Sequence, residues 1–168
     1  MSLPDDLLKQ AKKLATMEKK RPQQASLRRA VSTAYYALFH LLCEEGAKRI
    51  SPNTPAGLAH AIRRSITHGD MKSAAKGINQ QTPPKQYAGL LSATPSQDLL
   101  DVASHFVNLQ EARHSADYDL SVRFSRINAL TKVQEAEDAF KKWKLVRSSD
   151  DANVFLSATF FWKNFNTR

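Results

Sequence analysis

The chain has 168 residues, of which 42% are hydrophobic and 24% charged. Its length suits a single domain, and its composition excludes a disordered or fibrous protein. No apolar run of about 18 residues occurs, which excludes a membrane-spanning helix, and no leader-like N-terminal pattern is present, so a cytoplasmic protein is predicted. The one cysteine, Cys43, lies in an apolar helical pattern, which indicates a small buried side chain in a reducing compartment.

The net charge of +9 lies in the first half of the chain. Residues 1–85 hold 15 basic and 6 acidic residues, whereas residues 86–168 hold ten of each. A one-sided positive field attracts polyanions such as RNA or DNA and makes their binding sensitive to salt. A lysine-rich face that only keeps the protein soluble explains the same charge equally well.

Two amphipathic helices are predicted at the start of the chain. The first begins at Pro4, a residue suited to the first helical turn, and ends before Pro22. The second is capped by Ser26 and continues to Gly46. Its apolar residues recur at steps of three and four and include Leu27, Ala30, Val31, Ala34, Tyr35, Leu38, Leu41 and Leu42.

The middle of the chain is predicted to contain a third helix, a long loop and a fourth helix. The third helix covers Ala56 to His68 and stops at Gly69. Residues 69–95 contain the pair Pro83–Pro84 and follow no period, which indicates a long loop with room for one short helix. The fourth helix opens at Pro95 and extends to about Arg113 or somewhat beyond.

A fifth and longest helix, capped by Asp119 or Ser121, is predicted before an aromatic C-terminal segment. That segment, residues 150–168, is too apolar to stay in water and is expected to dock as a helix or to cover a partner subunit. No strand-like alternation occurs. The sequence therefore predicts an all-α fold: one domain, residues 1–168, built as an up-and-down bundle of about five helices with its core at about residues 4–147.

The segment RRAVSTAYYALFH, Arg28 to His40, places four polar residues on one helical stripe. Arg29, Thr33, Tyr36 and His40 follow steps of three and four, so this stripe is suited to line a cleft. The alternative is that the tyrosines are core aromatics with satisfied hydroxyls and that His40 is a buried, hydrogen-bonded histidine.

The segment IRRSITHG, Ile62 to Gly69, brings an arginine and a histidine together. Arg64 and His68 are four apart, which makes them neighbours if both lie on one helix. An imidazole that accepts a proton from a ribose hydroxyl, beside a guanidinium that stabilises charge on phosphate, is suited to phosphodiester cleavage. The alternative is a histidine that complements the dipole at a helix C-terminus.

The segment ARHSADYD, Ala112 to Asp119, is the third polar cluster. Arg113 and Asp117 are four apart and suited to an ion pair, with His114 and Tyr118 beside them. One interpretation is a structural pair that ends one helix and orients the next. The other is that Asp117 reaches Arg29 and holds it pointing into a cleft.

No cofactor and no metal site are predicted, because the chain has neither zinc-type cysteine spacing nor a glycine-rich phosphate loop. The lysines of the first helix, with Lys48 and Arg49, have no interleaved aromatic residues. They indicate phosphate contact at most, or a solvated face.

In these motifs the chain resembles the HEPN superfamily of helical proteins, whose long tyrosine-bearing helix faces a late helix with an Ala-Asp-Tyr signature. RRAVSTAYYALFH and ARHSADYD carry the resemblance, and Arg64 to Gly69 matches an Arg-x-x-x-His-Gly segment of short bacterial members. The resemblance implies a homodimer that is either a metal-independent endoribonuclease of toxin–antitoxin or phage-defence systems or a non-catalytic partner of nucleotidyltransferases. Nuclease members usually place four to six residues between an Arg and a His on the late helix, whereas Arg113 and His114 are adjacent.

The sequence thus predicts an RNA-directed protein, with endoribonuclease activity or with a non-catalytic role in binding a nucleotide or a protein partner, such as an antitoxin or a nucleotidyltransferase. The candidate catalytic residues are Arg64, His68, Arg113 and His114. The candidate substrate-binding residues are Arg29, Tyr36, His40, Asp117 and Tyr118.

Overall fold

The structure, a computed structural model, describes residues 2–50, 52–53, 55–80 and 83–166, without the side chains of Ala56 and Asn166. Within these ranges all regular structure is helical, so the all-α prediction is confirmed, although eight helices are found there instead of about five. In chain order they are α1 (Leu3–Ala15), α2 (Gln24–Ile50), α3 (Ala56–Ser65), α4 (His68–Ile78), α5 (Lys85–Ala88), α6 (Gln97–Tyr118), α7 (Arg126–Val146) and α8 (Asp150–Asn166).

The second helix passes through Gly46, where the sequence predicts its end. A methyl group added at Gly46 would come within 2.5 Å of a ring carbon of Phe160, so the missing side chain makes room for an aromatic ring from α8. Gly46 is therefore a packing position inside α2 instead of a helix terminator.

The predicted third helix, Ala56 to His68, is wrong at its C-terminal end. The backbone leaves the helix at Ile66, which is extended, with φ −73° and ψ 125°. The hydroxyl of Thr67 then accepts a hydrogen bond from the backbone N–H of Asp70 at 3.0 Å and caps a new helix that starts at His68. The long loop predicted for residues 69–95 is wrong in the same region, because most of α4 and all of α5 lie there.

The predicted cap of the fifth helix is also wrong. Asp119 instead forms a local turn, in which its carboxylate accepts hydrogen bonds from the N–H and the hydroxyl of Ser121 at 2.9 and 2.5 Å. Helix α7 begins at Arg126, where the hydroxyl of Ser125 accepts the N–H of Asn128 at 3.0 Å. Several residues in this stretch suit a cap, and their order in the sequence does not say which one is used.

The chain forms two compact units. Unit 1 contains the residues up to His40 together with His105–Lys141, and unit 2 contains Leu41–Ser104 together with the residues from Lys142 onward. In unit 1 the ring centres of Tyr35 and Phe106 lie 5.5 Å apart in a core that excludes solvent. The fully buried large side chains of unit 1 are Tyr35, Leu27, Leu38, Phe106 and Leu109.

The aromatic C-terminal segment forms α8, which packs on α4 and α5 of unit 2. The ring of Trp162 stands edge-on to Tyr87 at 5.7 Å, and the ring of Phe165 lies 5.8 Å from the same tyrosine. On α4, Gly77 leaves the space that Trp162 occupies. The predicted docking of this segment as a helix on the same chain is therefore confirmed.

Replacing Gly77 with alanine is expected to lower the free energy of unfolding by about 1–3 kcal/mol, the usual cost of overpacking. The new methyl group would lie 2.7 Å from Trp162 and 3.0 Å from Tyr87. Gly57→Ala is the matched control, because Gly57 also lies in a helix but has open space around it. It is expected to stabilise by up to about 1 kcal/mol through helix propensity. Urea unfolding of both variants checks the opposite signs, and equal signs would contradict the packing assignment.

No helix within the described ranges combines the length and the apolar character needed to cross a lipid bilayer.

Candidate functional site

A pocket of about 550 Å³ lies in unit 1, between the start of α2 and the end of α6. It is lined from α2 by Ala25, Arg28, Arg29, Ser32 and Tyr36, and from α6 by Arg113, Ala116, Asp117 and Tyr118. Five of the predicted site residues therefore share one hollow: Arg29, Tyr36, Arg113, Asp117 and Tyr118.

Arg28 fixes the wall of the pocket to the end of α6. Its guanidinium donates hydrogen bonds to the carbonyl oxygens of Ala116 and Asp119 at 2.8 and 2.9 Å, and also to those of Ser115 and Val122. These carbonyls belong to the last turn of α6 and the segment after it, where a helix leaves acceptors without partners and favours a positive charge. Arg28 thus has a structural role that the sequence does not reveal.

Arg113 is held at the centre of the pocket by an acid and two tyrosines. Its Nε lies 2.7 Å from a carboxylate oxygen of Asp117, and its Nη2 donates to the hydroxyl of Tyr36 at 3.0 Å and, at 3.4 Å, to that of Tyr118. The guanidinium carbon lies 5.5 Å from the ring centre of Tyr36 and 5.4 Å from that of Tyr118, within the range of cation–π attraction.

The electrostatic surroundings keep Arg113 charged. Burial works to lower its pKa, but the neighbouring Tyr36 and Asp117 outweigh burial and raise the pKa above its usual value. The side chain is only 17% exposed, so this fixed cation sits largely out of water. Such a group is suited to orient an anion or a partly negative oxygen.

Asp117 pairs with Arg113 and not with Arg29. Its carboxylate also accepts a hydrogen bond from the hydroxyl of Ser32 at 3.3 Å, which ties it to α2. The interpretation in which Asp117 holds Arg29 is therefore wrong, because the partner four residues earlier on the same helix is closer at hand. The i to i+4 ion pair that the spacing suggests does form.

Arg29 is the exposed cation of this pocket. Within the part of the chain that the structure describes, Arg29 makes no hydrogen bond or ion pair with another side chain, in contrast to Arg28 and Arg113. Its five N–H donors are open to solvent and to an incoming anion. Because phosphate accepts two such donors at once, Arg29 is the group best placed to make a first contact.

Two histidines of unit 1 contact the tyrosines of the pocket. His40 stacks on Tyr36 one turn further along α2, with ring centres 6.2 Å apart, and is half-buried. His114 is exposed, and its ring lies 5.1 Å from that of Tyr118. Neither histidine lines the pocket, but each lies against a tyrosine that does.

Arg64 and His68 belong to unit 2 and do not lie on one helix. Arg64 is exposed on the last turn of α3, whereas the half-buried His68 is the first residue of α4. The predicted neighbourhood of the two on one helical face is therefore wrong, because Ile66 and Thr67 separate the two helices. The alternative, in which His68 complements the dipole at a helix C-terminus, is also wrong. His68 lies at the N-terminus of α4, where a positive imidazole opposes the helix dipole.

The described side chains contain no group of three or more His, Cys, Asp or Glu residues arranged to hold a metal ion. The side chains that line the pocket supply guanidinium and phenol groups, and the imidazoles of His40 and His114 lie against two of its tyrosines. These groups bind anions, stack on aromatic rings and transfer protons.

No protein-family model, no curated protein and no solved structure matches the chain.

Proposed function

We propose that this chain is a HEPN-type, RNA-directed protein whose unit 1 pocket binds RNA. The observation that carries the proposal is that the pocket is built from the two segments that carry the resemblance. Arg29 and Tyr36 come from Arg28 to His40, and Arg113, Asp117 and Tyr118 come from Ala112 to Asp119. These two segments are far apart in the sequence but meet in one pocket, and this arrangement supports the proposal.

The residue types in the pocket suit single-stranded RNA. Arg29 supplies an open guanidinium for a phosphate, and Arg113 supplies a second positive charge. Tyr118 is 64% exposed and presents a ring on which an unstacked base can lie. Base stacking on aromatic side chains tolerates any sequence, so a general preference for unpaired RNA is expected.

The proposed activity is cleavage of the RNA backbone without a metal ion. In this reaction His114 takes the proton of a ribose 2′-hydroxyl, and the 2′-oxygen forms a bond to the adjacent phosphorus. The bond from phosphorus to the 5′-oxygen breaks, and that oxygen takes a proton from a water molecule, which leaves a 2′,3′-cyclic phosphate and a 5′-hydroxyl. The hydroxide formed from the water accepts the proton that His114 took up, which restores the imidazole. Arg113 stabilises the extra negative charge on the phosphate oxygens.

A second candidate is a non-catalytic module that binds a nucleotide or RNA without turnover. The contacts of Arg113 favour it, because Asp117, Tyr36 and Tyr118 already occupy much of that guanidinium. In this alternative Arg113 shapes the pocket, and Arg29 alone binds phosphate. A homodimer is proposed for both functions on the basis of the resemblance, with an antitoxin or a nucleotidyltransferase as the partner.

RNA binding is tested by measuring the affinity for a fluorescent 12-nucleotide single-stranded RNA over a range of salt concentrations. Arg29→Gln is expected to weaken binding about tenfold, the effect of losing one charge-assisted hydrogen bond. It should also flatten the dependence of log K on log salt by about 0.7, the value for one phosphate contact on a single strand. Lys141→Gln is the matched control. Lys141 is an exposed cation near the C-terminal end of α7, lies in the same unit and does not line the pocket.

An equal loss in Arg29→Gln and Lys141→Gln would show that the protein attracts RNA through its overall charge and not through this pocket. No binding of the wild-type protein to this RNA at low salt would remove the proposed RNA-directed function and leave only a module that binds a nucleotide or a protein partner. Binding with no cleavage product over many hours would select the non-catalytic module.

A further inference from the structure

A second pocket, of about 400 Å³, lies in unit 2 and combines one cation with apolar walls. It is formed where the end of α2 meets the first turns of α8. Its lining residues are Gly46, Arg49, Ile50, Asn153, Leu156 and Ser157. A volume of this size falls within the range of small-molecule sites in proteins.

Arg49 is the charged group of this pocket, and it is half-buried. One of its terminal nitrogens donates to the side-chain oxygen of Asn153 at 2.7 Å, and the other donates to the backbone carbonyl of Arg147. Both partners are neutral acceptors, and they use two of the five N–H groups of a guanidinium. Among the described residues Arg49 has no carboxylate within ion-pair distance.

Glu45 is the acidic residue whose charge acts on Arg49, but its hydrogen bonds come from other residues. Glu45 accepts a hydrogen bond from Lys48 at 3.4 Å through one oxygen and from the indole N–H of Trp143 at 3.4 Å through the other. Burial lowers the pKa of Arg49 most, the charge of Glu45 opposes this effect, and the positive charge of Arg147 adds to it. The guanidinium is therefore partly desolvated, and its two hydrogen bonds go to neutral acceptors and not to a carboxylate.

The remaining lining residues complete an amphipathic site. The hydroxyl of Ser157 and the amide of Asn153 are polar groups beside the cation, whereas Ile50 and Leu156 form apolar walls. A carboxylate or phosphate can accept the open N–H groups of Arg49, and an alkyl or aromatic body can cover the apolar walls.

We infer that this unit 2 pocket binds a small organic anion, with its acidic head group on Arg49 and its apolar body against Ile50 and Leu156. The site is independent of the proposed RNA-binding pocket, since it shares no lining residue with that pocket. It requires both parts of the ligand: the charge for Arg49 and the apolar body for the walls.

Three probes that carry a hexyl chain, together with inorganic phosphate, test the inference on the full chain. Heptanoate and hexyl phosphate carry the same hexyl chain with different acidic heads, hexanol carries the chain without charge, and inorganic phosphate carries charge without the chain. Binding is measured by titration of the ¹⁵N-labelled protein. We expect at least one of the two hexyl anions to bind with shifts at Gly46, Asn153 and Ser157, and about tenfold more tightly than hexanol and than inorganic phosphate.

Two variants and one control locate the binding site. Arg49→Gln removes the cation, and Ser157→Asp places a carboxylate in the pocket, where it competes for Arg49. Each is expected to weaken binding of the hexyl anion about tenfold or more. Lys163→Gln removes an exposed cation of α8 outside the pocket and is expected to change nothing.

Failure of both hexyl anions to bind at millimolar concentration would overturn the inference. Equal affinity for hexanol and the anions would show an apolar cavity without an anion site, and would overturn it as well. If Arg49→Gln does not fold, as judged by circular dichroism, unchanged binding in Ser157→Asp decides against the inference and loss of binding in that variant decides for it.

Discussion

Replacing His114 with alanine is expected to lower the rate of RNA cleavage at least 100-fold, the usual range for loss of a general base. The imidazole of His114 is exposed and lies 5.1 Å from the ring of Tyr118, a residue of the pocket wall. Because His114 itself does not line the pocket, affinity for RNA should change less than threefold. Cleavage of a labelled RNA in EDTA, with detection of 2′,3′-cyclic phosphate ends, measures the rate.

His60→Ala is the matched control for this experiment, because His60 is an exposed histidine of α3 outside every predicted motif. His68→Ala tests the other candidate base that the sequence predicts. Loss of cleavage in His68→Ala with full activity in His114→Ala would assign the base to His68 and contradict our proposal. Loss of activity upon adding EDTA would contradict the metal-independent mechanism.

The variant Arg28→Ala is expected to lower the free energy of unfolding by about 2–3 kcal/mol, because several carbonyl oxygens lose a charged donor together. Four carbonyls from Ser115 to Val122 receive hydrogen bonds from this one guanidinium. Arg28→Lys should recover only part of the loss. An ammonium group is a compact charge and lacks the planar fork of N–H donors with which a guanidinium reaches several acceptors at once. Urea unfolding followed by circular dichroism gives the free energies.

Arg29→Ala is the control, because the two residues are adjacent and of the same type. Arg29 is exposed and makes no hydrogen bond or ion pair with another side chain within the described residues, so its loss should change stability by no more than about 0.5 kcal/mol. The two substitutions are therefore expected to separate folding from RNA binding, because Arg28 supports the pocket and Arg29 is the residue that we propose contacts RNA. Equal effects on stability would contradict this division.

Much of the candidate site follows from helical spacing. Arg29 and Tyr36 are two turns apart on α2, and Arg113 and Asp117 are one turn apart on α6, so each pair shares a face once the helices are identified. The role of Arg28 could not be found in this way, since all four of its partners are backbone carbonyls about ninety residues away. A backbone acceptor has no signature in the amino-acid sequence.

The division of Arg64 and His68 between two helices also depends on tertiary structure. The pattern from Ala56 to His68 is compatible with one continuous helix, and so is the alternative in which Thr67 caps a second helix. The choice depends on α4, whose buried residues Met71, Ala74 and Ile78 belong to the core of unit 2. Burial of these side chains stabilises α4 as a separate helix that does not continue α3.

The sequence by itself determined that the protein is helical, that the apolar stripe of α2 faces inward, and that two polar segments far apart in the chain carry the candidate chemistry. These properties are local, because the spacing of apolar residues and the preferences of individual side chains act within a few turns. Only the tertiary structure decided that α2 continues past Gly46 and which residue caps α7. It also decided that Arg28 supports the pocket while the neighbouring Arg29 stays exposed. Those outcomes depend on contacts between residues distant in sequence, such as a Phe160 ring that fills the space beside a glycine.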